Sequence, residues 1–444
     1  MTGGRARPRL VVCGGGLAGV AAAVEGAGLG AEVTLVERRP FLGGKAYSFT
    51  DPDTGREVDN GQHVFLGCCP AYIRLLRLLG TLRHTSLQRR LDAPVRDRAG
   101  RVGALRAAPL PAPLHLGLSF AAYPHLSPGE KAAALRALAA LAAMTERTLE
   151  EIDRLSFADW LAERGQSPEG VRRFWDLIVL PTCNDRSDRV SAALAAFVFR
   201  RGFLQTSRGS AIGWSRVGLS RLVDPAAREF LATRGGRVVA GAAVSEAGPG
   251  GVILADGTAL PADAVVLAMP PARVRAAAPA ALAEDPGLGA SPIVNVHVWY
   301  DRPVMDERFT AVVDSPVQWI FNRTAMGGGD GSSHHLAISI SGAREEVEVP
   351  RAELAEAMRA ELEHLLPRAR SARALATAVV KEPQATFAAA PGQAARRPGP
   401  ATPLERVALA GAWTATGWPA TMEGAVRSGI VAARHVLGDR VQPS

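Results

Sequence analysis

A strand-like run, Leu10-Val-Val-Cys13, ends directly on Gly14-Gly-Gly16-Leu-Ala-Gly19, and no other feature limits the fold of this chain as severely. The spacing is G-x-G-x-x-G. Its first glycine makes a tight turn, its second lets backbone approach a pyrophosphate, and its third lets a helix pack close to a strand. The Ala-rich stretch from Leu17 to about Gly28 predicts that helix, and Glu32-Val-Thr-Leu-Val-Glu37 predicts the next strand. The result is a β-α-β unit with parallel strands and the positive end of the helix beside the turn, where phosphate is favoured. Gly14, Gly16, Leu17, Ala18 and Gly19 are therefore candidate contacts to a dinucleotide. Glu37 ends the second strand where an acid bonds ribose hydroxyls and disfavours a 2′-phosphate, with Arg38 beside it. NAD and FAD both fit this fingerprint.

Further motifs separate the two. Gly43-Gly44-Lys45 follows Glu37 closely and resembles the second glycine pair of flavin amine oxidases and carotenoid desaturases. That resemblance implies FAD. Its usual arginine is replaced here by Lys45, which keeps the cation for phosphate but lacks the bidentate fork. Tyr47-Ser-Phe49, Val58-Asp-Asn-Gly-Gln-His63-Val-Phe-Leu-Gly67 and Thr416-Gly-Trp-Pro-Ala-Thr-Met-Glu-Gly-Ala-Val-Arg-Ser-Gly429 narrow the likeness. They are similar to the hydroxysqualene dehydroxylases, the squalene-associated FAD-dependent desaturases of hopanoid synthesis. The similarity spans residues 9 to 80 and 230 to 437, with the middle matched by length and order of elements.

The implied fold class is α/β: a Rossmann-like FAD-binding domain of the glutathione-reductase type with an inserted α+β substrate domain. A chain of 444 residues exceeds one compact core and suggests about two or three domain-sized units. The FAD-binding domain is expected in three pieces, residues 1–85, 226–290 and 401–444. A helix is expected at Ala71 to Leu79, and residues 86–225 read as a largely helical substrate- and membrane-facing region, with helices at Lys131 to Met144 and from Ser156, and a break near Pro181. Residues 291–400 read as a substrate domain, because 293–300, 317–321 and 335–341 alternate apolar with polar side chains as a half-buried antiparallel sheet does. Gly327-Gly-Gly-Asp-Gly-Ser-Ser reads as a hairpin loop, and Pro391 to Pro403 as a linker before the strand Val407 to Ala410 and the helix Thr421 to Leu437.

The resemblance implies further site residues. Gly61, Gln62 and His63 would meet the flavin ring, Val244 the adenine, Gly411 the pyrophosphate and ribityl chain, and Met422, Glu423, Gly424 and Ala425 the isoalloxazine through a helix N-terminus. His63 is the catalytic candidate, as proton donor or as a residue that orients the flavin. Asp59 is expected to hold its local turn. Asn184, Asp185 and Asp188 follow the Pro181 break as cavity-facing or solvated polar residues, while Trp413 and Trp418 frame the flavin or pack at a domain interface. One departure stands out: Ala412 occupies a position where the family carries an acid, so flavin retention is weaker or, in a rival reading, lost in a flavin-poor isoprenoid-binding protein.

The reaction implied is reductive removal of an allylic hydroxyl, giving squalene from hydroxysqualene. Oxidation of a carotenoid precursor or an amine on the same scaffold is the alternative. A net charge of +8 comes from dispersed residues, almost all Arg with Lys only at 45, 131 and 381, so nucleic acid is not expected as a partner. Residues 107–126 carry no Asp, Glu, Lys or Arg, yet Pro109, Pro111, Pro113 and Pro124 oppose a spanning helix. This segment is the expected portal for a long-chain isoprenoid substrate, docking a cytoplasmic enzyme on the inner face of the cell membrane or lining its cavity. Cys13, Cys68, Cys69 and Cys183 lack zinc-ligand spacing and no metal is expected.

Overall fold

The computed structural model describes residues 7–328 and 331–438; Gly329 and Asp330 of the expected hairpin loop, and the ends of the chain, lie outside the described residues. The first βαβ unit forms as read, with strands Arg9–Cys13 and Glu32–Glu37 flanking helix Leu17–Gly28. They belong to a five-stranded parallel sheet ordered Arg237–Ala240, Glu32–Glu37, Arg9–Cys13, Ala264–Leu267, Val407–Leu409. Its central strands are apolar almost throughout because both faces are covered. On one face Leu10, Val12, Val33 and Leu35 pack against helices Leu17–Gly28, Ser220–Ala232 and Met422–Leu437. On the other, Val11, Cys13, Val265 and Leu267 meet a small antiparallel sheet through Val252, Leu254 and Leu260. Burial pushes the Cys13 thiol up to about 12, which keeps it protonated and inert.

A seven-stranded sheet forms the second layer, ordered Ala374–Phe387, Ala290–Tyr300, His334–Ser341, Trp319–Asn322, Phe309–Val313, Asp92–Asp97, Val102–Arg106. The three alternating runs read from the sequence become strands in it, paired antiparallel. The segment 86–225, expected to be largely helical, also contributes the last two strands, joined to the rest by a parallel pairing of Ala311 with Val95. Pro94 and the charged residues of Asp92-Ala-Pro-Val-Arg-Asp97 hide a strand signature, since proline and aspartate are depleted in strands. Helix Arg351–Leu365 covers one face of the sheet through Leu354, Met358 and Leu362. The remaining helices pack around Trp160, Trp175 and Phe199 against Phe309, Ala311 and Phe321.

Pro181 does not break its helix at once. It sits in the last turn of Asp176–Cys183, which ends at Asn184 in the left-handed region with φ 57°. No helix among the described residues is long and apolar enough to cross a membrane.

Candidate functional site

One cavity of about 1560 Å³ runs between the two sheets, exceeding the ~300–1,000 Å³ of an ordinary small-ligand site. At its polar end lie Gly14, Gly16, Leu17 and Ala18, where the first strand turns into its helix. The third glycine of the motif, Gly19, does not reach the cavity. A Cβ there would sit 1.7 Å from the Gly14 carbonyl oxygen, so Gly19 acts by letting helix and turn touch. Gly16 differs: a Cβ would find only the Gly44 Cα, at 3.8 Å, and would project into an otherwise open cradle. Gly43 and Gly44 close that cradle, with the Gly43 amide donating to the Gly15 carbonyl at 2.9 Å.

Glu37 lines the same end, but its carboxylate is already engaged. Oε2 accepts from the Gly15 amide at 2.6 Å and Oε1 from the Arg39 amide at 2.8 Å. Each oxygen keeps a lone pair with which it could accept from a ribose hydroxyl, so Glu37 both orders the glycine turn and lines the cavity. Arg38 lies exposed at the rim. Arg39, which the sequence reading missed, is more deeply set, reaching the Gly44 carbonyl at 3.2 Å and lying over the Tyr47 ring. The Lys45 ammonium donates to the Ala385 carbonyl at 3.2 Å, and desolvation lowers its pKa against the opposing pull of Glu382. Val244 lines the wall formed by the small antiparallel sheet.

Midway along the cavity stand Gly61, Gln62 and His63. Asn295 holds the Gln62 amide at 3.2 Å, while the Gln62 Oε1 is buried and has no hydrogen-bond partner. His63 Nδ1 lies 2.8 Å from the Gly61 carbonyl, which fixes the ring and assigns the proton to Nδ1, leaving Nε2 unengaged by that bond. Facing them are Gly411, Met422, Glu423 and Ala425. Thr421 caps the helix by accepting from the Gly424 amide at 3.2 Å, so Gly424 supports the turn and does not line the cavity. The Glu423 carboxylate also turns away. It accepts from the Ala71 and Tyr72 amides at 3.1 and 2.8 Å and from Arg427 at 2.7 Å, tying helix Pro70–Leu78 to the C-terminal helix. What Glu423 offers the cavity is the positive helix end at which it stands.

Several polar candidates are structural. Asp59 accepts from Ser48 Oγ at 2.7 Å and the Leu219 amide at 3.0 Å and pairs with buried Arg323 at 3.2 Å. Asn184 lines the cavity, but its amide spans Ser291 and Thr386, and Asp185 is buried against Arg344 at 2.5 Å; neither Asp185 nor exposed Asp188 lines the cavity. Both tryptophans line the cavity: Trp413 is buried with its Nε1 donating to the Met269 carbonyl, and Trp418 stands against Phe197. Beside Ala412, Arg397 donates to the Ala412 and Trp418 carbonyls at 2.8 and 2.6 Å, and burial pulls its pKa down to about 10. Cys68 and Cys69 also line the cavity; a mutual thiol hydrogen bond lowers the first pKa and raises the second.

The far end is apolar, walled by Leu91, Leu105, Leu177, Phe203, Trp319 and Phe321. The sequence reading missed these residues because they come from separate elements and share no motif. The polar end fits an FAD: an open glycine cradle, two helix N-termini, a ribose-placed carboxylate and an orphaned amide oxygen at the centre.

Comparison with known proteins agrees. The family described as flavin containing amine oxidoreductase matches residues 17–437. A hydroxysqualene dehydroxylase of Rhodopseudomonas palustris is 33% identical, over 96% of this chain and 97% of its own. A 15-cis-phytoene desaturase of Synechococcus elongatus is 27% identical, over 97% and 96%. Among solved structures, an oxidoreductase from Methanosarcina mazei superposes with a TM-score of 0.72 at 17% identity, covering 95% of this chain and 99% of that one.

Proposed function

The chain belongs to the flavin containing amine oxidoreductases and is an FAD-dependent oxidoreductase, and from that premise we propose that it removes the hydroxyl of hydroxysqualene reductively, giving squalene for hopanoid synthesis. The observation that carries this reading is the division of one cavity into a dinucleotide end and an aliphatic and aromatic end. The 33% identity to the Rhodopseudomonas enzyme along nearly the whole chain supports it.

Bound FAD, when reduced, supplies the hydride. The residues of the chain do the rest. Leu177, Phe203, Trp319 and Phe321 hold a hydrocarbon chain and exclude water, so that an allylic cation left by the departing oxygen meets no solvent nucleophile. His63, fixed through Nδ1, is the donor we assign to that oxygen: the imidazolium releases a proton from Nε2 and returns to the tautomer that Gly61 holds. The first-turn amides at Met422 and Glu423 present a positive dipole end to the cavity centre.

The carotenoid desaturase reading shares these apolar walls and is supported by the Synechococcus relative at lower identity. An amine oxidase reading is supported by the family description but not by the names of these two relatives. The test is anaerobic incubation of dithionite-reduced protein with hydroxysqualene, phytoene or an amine. Squalene formed in step with flavin reoxidation supports the dehydroxylase, and an inert hydroxysqualene arm rejects it. His63→Gln is expected to lower the rate about 100-fold or more at unchanged FAD content.

A further inference from the structure

The underside of the apolar end is covered by a segment that is itself exposed and uncharged. Leu91 and Leu105 line the cavity from inside, and the Ala107 amide bonds the Leu91 carbonyl at 2.9 Å, so residues 107–121 lie directly over those strands. Ser119 Oγ fastens the segment by taking the Arg106 amide and giving its proton to the Arg106 carbonyl. Its inner side chains, Leu116 and Phe120, join the core. Its outer ones do not: Leu110 is 42% exposed, Leu114 64% and Leu118 71%. Leu114 and Leu118 share one face at a four-residue spacing. Leu135, 55% exposed, adds to the surface from helix Pro128–Ala143, whose Lys131 reaches across to the Ala121 carbonyl at 2.6 Å.

Basic residues border this surface. Arg89 and Arg90 precede the Leu91–Ala107 bond, are exposed, and form no ion pair among the described residues. Arg106 is exposed and paired only with equally exposed Asp92, a contact of little strength in water. Glu130 is turned inward to Ser127 and Ser167. Projecting leucines beside unpaired arginines are what an interfacial anchor requires: apolar side chains for the acyl boundary and guanidinium groups for headgroup phosphates.

We propose that Leu110, Leu114 and Leu118, with Arg89, Arg90 and Arg106, dock the protein on an anionic phospholipid surface, and that a water-insoluble substrate passes from the bilayer into the cavity through this segment. The passage of substrate rests on the function proposed above; the docking does not.

Sedimentation with vesicles separates the two. The flavin-loaded protein, without substrate, is mixed with phosphatidylglycerol vesicles or with phosphatidylcholine vesicles at low and high salt. Wild type is expected to pellet with the anionic vesicles and to be released by salt. Leu114→Ser with Leu118→Ser should weaken binding about tenfold to both vesicles, and Arg89→Gln with Arg90→Gln about thirtyfold to the anionic ones alone. All four side chains are exposed, and unchanged flavin content and circular dichroism verify the fold. Wild type left in the supernatant of both vesicles overturns the proposal. So does a concentration-dependent dimer that Leu114→Ser with Leu118→Ser abolishes, since a second copy then covers the leucines. Turnover of hydroxysqualene in detergent is scored separately, so that failed chemistry with intact vesicle binding condemns the substrate and spares the docking surface.

Discussion

Around Gly14, Gly16 and Gly44 the cavity wall is backbone, whereas around Leu177, Phe203 and Trp319 it is side chain. The first kind of wall is specified by what is absent, since a single methyl group at Gly19 would collide with the Gly14 carbonyl. The second is specified by volume, which many residue combinations supply equally well. A family built this way keeps its cofactor and exchanges its substrates, and the same contrast ranks the expected effects of mutation.

Gly19→Ala should act most strongly. Its 1.7 Å overlap is with main chain and cannot be relieved by a rotamer, so a loss of more than about 4 kcal/mol is expected. Purified variant should carry no flavin absorbance; a full complement of FAD would refute the rigidity assigned to this end.

Next comes a buried histidine pair that does not line the cavity. His297 and His335, 3.0 Å apart, are buried on the large sheet with Asp59 and Arg323 nearby. Burial pulls His297 down to about 4 and His335 well below 6.5, with Asp59 opposing the shift on His297. Above pH 6.5 both folded and unfolded states are neutral here and stability is flat. Below it the unfolded chain takes up protons that the folded one refuses, so stability falls until the folded pKa is reached. For His297 alone the loss between pH 6.5 and about 4 is about 3 kcal/mol. Guanidinium unfolding at several pH values checks this, and His297→Asn should flatten the slope; an unaltered slope would assign the dependence elsewhere.

Smaller effects discriminate the ends. Trp319→Leu should cost about 1–2 kcal/mol in kcat/KM for a long hydrocarbon substrate and nothing in FAD content. Ala412→Asp should do the reverse, improving FAD retention by about 1 kcal/mol through a restored polar contact beside Arg397, as measured by equilibrium dialysis. If either substitution moved both quantities equally, the division of labour would fail.

Legibility in the sequence followed the same boundary. The glycine turn, its helix and the C-terminal helix could be read because each needs particular residues at fixed spacing. That Glu37 spends its carboxylate partly on Gly15, or that Glu423 caps another helix, could not be read, since the partners are distant in sequence or set by turn geometry. Strand Asp92–Asp97 was hidden by Pro94 and its charges. The apolar wall left no trace, because Leu91, Leu177, Phe203 and Trp319 converge only once two layers have packed.

The docking of helix Met422–Leu437 on helix Leu17–Gly28 has a temporal consequence. Gly429 lies so close to the first helix that a Cβ would stand 2.0 Å from the Ala18 carbonyl, and the same helix brings Met422 and Ala425 to the cavity. The glycine turn is synthesised long before the wall opposite it, which lies far downstream in the chain. Flavin capture therefore waits until both have been made, and a nascent chain must hold its half-built cradle without cofactor until then.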